Sequence, residues 1–277
     1  MHTDLASAIP MALFLFAHQD DEFGVFHEII DVQRKGYRVI CAYITTGVIS
    51  GVSPQRRNRE SLLILKQLRV QEQDIFFTGC ALSIPDTRLH EHLEPAANWI
   101  RQLIGGFSSP LLFYVPAWEG GHHDHDALHA ITVSIAQERN MLGCVRQFSL
   151  YNAYRCAGAL FRVFAPLPHN GPIEVKRISW KHRLHFLRYC LSYPSQAMTW
   201  IGLFPFVFLH YMFNGKQMLQ PVSYERISKR PHNGPLYYEK RGFFTWEKMA
   251  ACLIDWRKCY IGYKPIVKRG NKTFEQR

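Results

Sequence analysis

Two short runs concentrate the residues able to do chemistry. Ala17-His18-Gln19-Asp20-Asp21-Glu22 carries one imidazole and three carboxylates, and Gly120-Gly121-His122-His123-Asp124-His125 carries three imidazoles and one carboxylate. Mixed His and Asp donors suit a zinc ion held by three nitrogen or oxygen side chains with a fourth position left to water. His18 and Asp21 stand three apart at an expected strand-to-helix turn, a spacing that can bring both side chains to one point, and His125 can complete the set. Asp20 can then take a proton from the activated water, and His122 can donate to the oxyanion of a tetrahedral intermediate. Asp124 is placed to orient one of these imidazoles. His129, four residues after His125 on the same expected helix face, reads as a supporting or surface histidine and not as a ligand.

The elements that must hold these runs can be read from the spacing of apolar residues. Residues 11–17 are wholly apolar, the pattern of a central parallel strand buried on both faces. A helix over 23–35 ended by Gly36 and a second strand over 37–44 complete one strand-helix-strand unit. A helix from Pro54, a short strand at 74–77, a helix at 93–104, a strand at 111–115 and a helix at 124–138 continue the alternation. The fold class expected is therefore α/β: a Rossmann-like parallel sheet flanked by helices. In such sheets ligands bind outside the carboxyl ends of the strands, where both chemical runs fall. Past residue 150 the regularity fades into a loop at 161–172, a basic helix at 178–190, an apolar aromatic stretch at 198–213 and a last helix at 246–259. Residues 1–150 are expected to form the catalytic core, and 151–277 a basic, aromatic-rich C-terminal extension packed on it within a single elaborated domain.

Composition narrows the function. In 277 residues, 47% hydrophobic and 20% charged, there is enough apolar material for a globular interior, which argues against a disordered or fibrous chain. The longest apolar run, 200–213, is interrupted by Pro205 and is shorter than the roughly 20 residues a membrane-spanning helix needs. Seven cysteines without a Cys-x-x-Cys pair read as reduced thiols, and with no basic segment or cleavage site around the first apolar run the expected location is cytoplasmic. The net charge of +11 is uneven: residues 1–140 hold 11 Lys and Arg against 16 Asp and Glu, residues 141–277 hold 22 against 6. The second half is built to meet something anionic. Lys176, Arg177, Lys181, Arg183 and Arg188 before the aromatic stretch, and Arg226, Lys229 and Arg230 after it, leave two readings, a core segment or one held at the cytoplasmic face of an anionic membrane. No nucleic-acid motif is present, and the absence of the glycine fingerprint argues against a nicotinamide or flavin cofactor.

The paired runs resemble the signatures of the PIG-L/LmbE-like zinc N-deacetylases, usually Ala-His-Pro-Asp-Asp-Glu and His-Pro-Asp-His. The resemblance implies zinc on His18, Asp21 and His125, with Asp20 as base and His122 as the electrostatic residue, the same assignment that the chemistry suggests. Arg57-Asn58-Arg59-Glu60 is similar to the family's Arg-x-x-Glu and Asp86-Thr87-Arg88-Leu89 to its Asp-Gly-x-Leu loop, so Arg57 and Asp86 are implied to contact the sugar. Tyr193-Pro194-Ser195-Gln196 resembles a further family feature. Gln19 and His123 stand where the family usually has proline, which loosens the expected site and leaves open which imidazole binds.

The function expected is zinc-dependent hydrolysis of an N-acetyl group from an amino sugar of the N-acetylglucosamine type, free or on a lipid- or phosphate-linked carrier. Two alternatives stand beside it: an amidase for a non-sugar N-acyl substrate, since a metal site dictates the bond and not the rest of the molecule, and a catalytically silent basic surface-binding protein. Intact Asp20 weighs against silence.

Overall fold

The structure is a computed structural model that describes residues 9–49, 53–107 and 111–261. Strand β1 (Met11–Phe16) is buried along its whole length, as its unbroken apolar sequence requires, because it has a parallel neighbour on each side. These are β2 (Arg38–Tyr43) and β4 (Leu111–Pro116). Beyond them β3 (Ile75–Phe76) pairs parallel with β2, and β5 (Val145–Phe148) parallel with β4. The order β3-β2-β1-β4-β5 is the α/β winding expected, and it reverses direction at β1. The crevice at that reversal opens between the carboxyl ends of β1 and β4, so the two chemical runs leave the sheet side by side.

Side chains alternate across the sheet. Leu13 and Leu15 of β1 face one core with α4 (Leu93–Gly105) and α5 (His123–Glu138), while Ala12, Phe14 and Phe16 face the other with α1 (Phe26–Arg34) and α2 (Gln55–Gln67). A short helix, α3 (Thr78–Leu82), follows β3. Helix α5 is buried from His123 to Ala136, since it lies between the sheet, α4 and the last helix, α9 (Trp246–Ile261).

The C-terminal half covers the sheet and also lengthens it. After a small antiparallel pair, β6 (Tyr151–Asn152) with β7 (Arg162–Val163), strands β8 (Glu174–Arg177) and β9 (Lys216–Pro221) join the β5 edge antiparallel and give a seven-stranded sheet. The segment around 161–172, read from sequence as loop, thus contains a strand. Helices α6 (Trp180–Cys190) and α7 (Ala197–Leu209) contribute Phe186, Trp200, Leu203 and Val207 to the second core, and the short α8 (Tyr237–Lys240) adds Tyr238 to the first. Pro205 does not interrupt α7. The carbonyl it leaves without a partner belongs to Ile201, on a face 69% exposed where water can replace the lost bond. Among the described residues no helix is long and apolar enough to cross a membrane.

Close backbone approaches fix the loops at the sheet's carboxyl edge. Thr45 ends the extension of β2 by donating from its hydroxyl to the Ala17 carbonyl at 2.7 Å and accepting from Gly47 N at 3.1 Å. Gly79 of α3 lies directly against this residue, and a Cβ there would collide with the Thr45 backbone, which no side-chain movement can relieve. Gly79→Ala is expected to destabilise the protein by about 2 kcal/mol, the scale of an overpacked core. Chemical denaturation measures it, and an unchanged midpoint would show that the two segments do not need this contact.

Candidate functional site

The loop after β1 is shaped by one carboxylate. Asp21 Oδ2 accepts from the backbone N–H groups of Ala17, at 3.0 Å, and His18, at 2.8 Å, which folds the chain back and starts a single 3₁₀ turn over Asp21–Gly24. This forces Asp20 to φ 107°, a left-handed conformation that non-glycine residues hold only where surroundings over-determine it. The other oxygen, Asp21 Oδ1, lies 3.0 Å from His125 Nε2. The donor atoms of His18, Asp21 and His125, the three ligands proposed from sequence, fall within 4.8 Å of one another, and all three residues are buried. A second group with the same spacing, His18, Asp86, His122 and Asp124, shares His18 with the first.

The donor set fits a divalent cation. Asp86 Oδ1 sits 3.0 Å from His18 Nε2 yet is not aligned as a hydrogen-bond partner, so a buried carboxylate oxygen and a ring nitrogen crowd one point without satisfying each other. Burial opposes the charged form of His18, but Asp86, Asp124 and Asp21 together hold its imidazole well above the usual range. Burial likewise opposes the charge on Asp21 and Asp86, and the neighbouring histidines nonetheless keep both carboxyls low. The cluster is therefore a negative site in need of positive charge, and its N and O donors are those zinc takes.

The second run begins α5. His122 is its N-cap, with Nδ1 accepting from Asp124 N at 3.1 Å, which leaves the proton of a neutral ring on Nε2. Burial, with His18 and His123 adding to it, keeps His122 uncharged by holding its pKa well below the ordinary value. Asp124 is wholly buried and accepts from Thr87 N at 2.7 Å and Leu89 N at 3.1 Å, with His18 Nε2 at 3.1 Å. It thereby ties the 86–89 loop to the first run. His123 turns away from the His18, Asp21 and His125 group: its Nε2 bonds the Thr87 carbonyl at 2.9 Å and its ring stacks between His122 and Phe244. Thr87 stands where the resembled loop has glycine, and its φ of 66° is the conformation glycine favours. His129 is buried and pairs with the Pro116 carbonyl at 2.9 Å, a core position that the sequence reading divided between supporting and surface roles.

Arg57 lies on α2 with its guanidinium against the first run. It donates to the carbonyls of Gly47 and Gln19 and, at 3.0 Å, to Asp20 Oδ1. Asp20 is buried, and burial pushes its carboxyl up to about 7 against the pull of Arg57. Gln19, in the place of a proline, fixes the loop differently by donating to Asn58 Oδ1 at 2.7 Å. Arg57 and Glu60 are not partners: Glu60 accepts from Ser195 through its backbone N–H and hydroxyl. Tyr193 donates to Glu22 Oε1 at 3.0 Å, and Trp200 Nε1 donates to Asp20 Oδ2 at 3.2 Å. Trp200 is the site residue that sequence reasoning placed elsewhere, in an apolar stretch; its distance along the chain left no local signal of this contact.

These groups border a cavity of about 860 Å³ that includes His18, Asp20, Asp21, Arg57, Asp86 and His122, with Tyr151, Phe161, Leu203, Phe243 and Phe244 on its apolar sides. Both residues implied by resemblance to contact a sugar, Arg57 and Asp86, reach it.

A family model described as PIG-L, GlcNAc-PI de-N-acetylase, matches residues 13–136. No curated protein matches the sequence. Among solved structures, a triple mutant of a deacetylase of the teicoplanin biosynthetic pathway (Orf2*T) is 21% identical with a TM-score of 0.59, covering 77% of this chain and 98% of that one. The A40926 pseudoaglycone deacetylase Dbv21 is 20% identical with a TM-score of 0.57, covering 81% and 99%. The conserved protein TT1542 from Thermus thermophilus is 17% identical with a TM-score of 0.50, covering 76% and 93%. At such identities the likeness to these structures is one of fold. The family match, by contrast, spans both chemical runs in their expected order, and over residues 13–136 the chain is similar to the PIG-L family, as those runs implied.

Proposed function

We propose that the protein is a zinc-dependent N-deacetylase that hydrolyses the acetamide of an amino sugar of the N-acetylglucosamine type. The observation that carries this reading is the placing of Asp20, oriented through both oxygens by Arg57 and Trp200, beside a buried His18, Asp21 and His125 group at the edge of one cavity. Those three residues would hold the metal, which when bound supplies Lewis acidity and lowers the pKa of water. Asp20 accepts the proton of the attacking water and returns it to the departing amine. Arg57 and Trp200 each hold one of its oxygens, which fixes the carboxylate for both transfers. His122, neutral and with its proton on Nε2, donates to the acetyl oxygen as negative charge develops there. Asp124 holds His18 and the 86–89 loop in place, and Arg57 keeps Asp20 aimed.

The family description, GlcNAc-PI de-N-acetylase, favours a sugar over the non-sugar alternative. A membrane-facing role draws on α7, which leaves Ile201 69% exposed and Met198, a residue of the cavity lining, 83% exposed. Not every flanking cation serves it. Lys176 is committed to Glu28 and Asp31 at 2.6 Å each, Arg183 to backbone carbonyls, and Arg230 to Glu239. Arg177, Lys181 and Arg188 are exposed and would be the cations to meet an anionic lipid surface.

His18→Ala and His125→Ala are each expected to lose most of the bound zinc while unfolding stays cooperative, since the pair serves the site and not the core. Metal analysis of the purified variants checks this, and full zinc content in either removes the assignment. Asp20→Asn, a residue that tolerates the left-handed backbone, should keep the fold and the metal but lose on the order of 100-fold or more in turnover. Acetate release from N-acetylglucosaminides is the readout, and near wild-type rates would exclude Asp20 as the base. Sedimentation with anionic vesicles should fall as salt rises, the screening length being about 8 Å at physiological ionic strength, and Lys181→Gln/Arg188→Gln should weaken it. Indifference to anionic vesicles at low salt would exclude the membrane-facing role without touching the chemistry.

A further inference from the structure

Helix α5 opens with an imidazole that hydrolysis does not use. His123 stands where the resembled motif has proline, and its ring faces a second imidazole, His90, with ring centres 5.7 Å apart. The two side chains are 3% and 2% exposed, and that of Asp124 is fully buried. One donor atom from each of His90, His123 and Asp124 lies within 4.8 Å of the other two. This group shares no member with His18, Asp21 and His125.

His90 is the residue that calls for a ligand. An uncharged imidazole carries one N–H and one lone pair, and here both nitrogens are buried without a hydrogen-bond partner. Glu91 Oε1 is 3.4 Å from Nε2 but out of line, and bonds Arg88 instead, while Phe244 covers the ring at 4.5 Å and offers no polar atom. A polar side chain left so is costly, and each such case in a folded protein needs a cause. A bridging water needs about 2.8 Å to each partner, whereas a zinc-sized ion bonds at roughly 2.0–2.2 Å and can join donors that stand closer together.

The rest of the group has the spacing such an ion requires. His123 Nε2 lies 3.8 Å from Asp124 Oδ1 and 2.9 Å from the Thr87 carbonyl oxygen. These values bracket the edge, roughly 3.3 Å, of a tetrahedron with bonds of about 2.0 Å. Asp124 Oδ1 accepts from Leu89 N at 3.1 Å, which leaves it a second lone pair. Two imidazoles with a carboxylate favour zinc and its transition-metal neighbours over magnesium or calcium. His90 and His123 both line the cavity, which gives an ion a way in.

We propose that His90, His123 and Asp124 form a second divalent-cation site, separate from the one that serves hydrolysis, with the Thr87 carbonyl as a further oxygen. The ion takes the place of the His123 Nε2 proton, and the ring carries its proton on Nδ1, which has no other partner. Asp124 Oδ2 meanwhile lies 3.1 Å from His18 Nε2, so both ions draw on one carboxylate and the second is the weaker. Nothing in this site depends on the deacetylase chemistry.

The test titrates the metal-free full chain with zinc by calorimetry, with metal analysis after dialysis against excess zinc. The wild type should take up two equivalents, the second weaker on the order of tenfold or more because its carboxylate also backs His18. His90→Leu should keep the tight equivalent and lose the weak one, and His125→Ala should do the reverse. Without metal His90→Leu should melt no lower than the wild type, since an apolar side chain replaces an imidazole without partners. His90→Gln, which stays polar but ligates poorly, should lose the weak equivalent too. A single equivalent in the wild type would overturn the site, as would a weak equivalent that survives both His90 substitutions. Loss of both equivalents in a His90 variant that melts like the wild type would also overturn it, by assigning His90 to the first ion. Two equivalents in His125→Ala, with one in His90→Leu, would uphold the second site and remove His125 from the first.

Discussion

Four aspartates, Asp20, Asp21, Asp86 and Asp124, meet at the carboxyl end of β1 and β4, three of them buried and the fourth only partly open to solvent. Like charges brought together away from water repel strongly, and the rest of the site is arranged to offset that repulsion. Backbone N–H groups of Ala17, His18, Thr87 and Leu89 point at two of the carboxylates, the Arg57 guanidinium at a third, and three imidazoles fill the space between. A divalent cation would complete the compensation. The same compensation dictates the loop shapes, since each donor must be delivered from a different segment: the β1 loop, the 86–89 turn, the start of α5 and α2.

The C-terminal half enters this scheme as a set of clamps. Tyr193, Ser195, Trp200 and Gln217 bond Glu22, Glu60, Asp20 and the Gly24 carbonyl, so residues more than 130 positions away hold the carboxylates and the first turn in register. Asp20 is thus oriented by a helix, α7, whose outer face is apolar and exposed.

Sequence made the sheet and the chemical runs legible because both rest on local pattern. The unbroken apolar run at β1 and the alternation of strands and helices to residue 138 identify the winding, and placing the His and Asp runs at strand ends identifies the crevice. What stayed hidden depends on distant partners. β8 and β9 are short, polar strands whose places, β9 against β5 and β8 at the edge against β9, are set by distant partners and not by hydrophobic period. Trp200 reads as core because nothing near it in sequence announces an acceptor. His123 is ambiguous among three neighbouring histidines until Thr87, 36 residues earlier, is seen to occupy its Nε2. The uneven charge was visible, but the sequence did not show that Lys176, Arg183 and Arg230 are engaged internally.

His123 and Thr87 form one unit. Each replaces a residue, proline or glycine, that the resembled motifs use to set backbone shape without help. Here a threonine is held in a glycine-like conformation, and the imidazole across the cleft bonds its carbonyl. The pair exchanges two intrinsic backbone preferences for one side-chain contact. Contacting residues of this kind are not additive, so the effect of changing either depends on which residue occupies the other. The dependence runs one way: glycine at 87 would keep the carbonyl and relax the left-handed backbone, whereas losing the imidazole at 123 would leave a β-branched residue in that conformation without the contact that holds it.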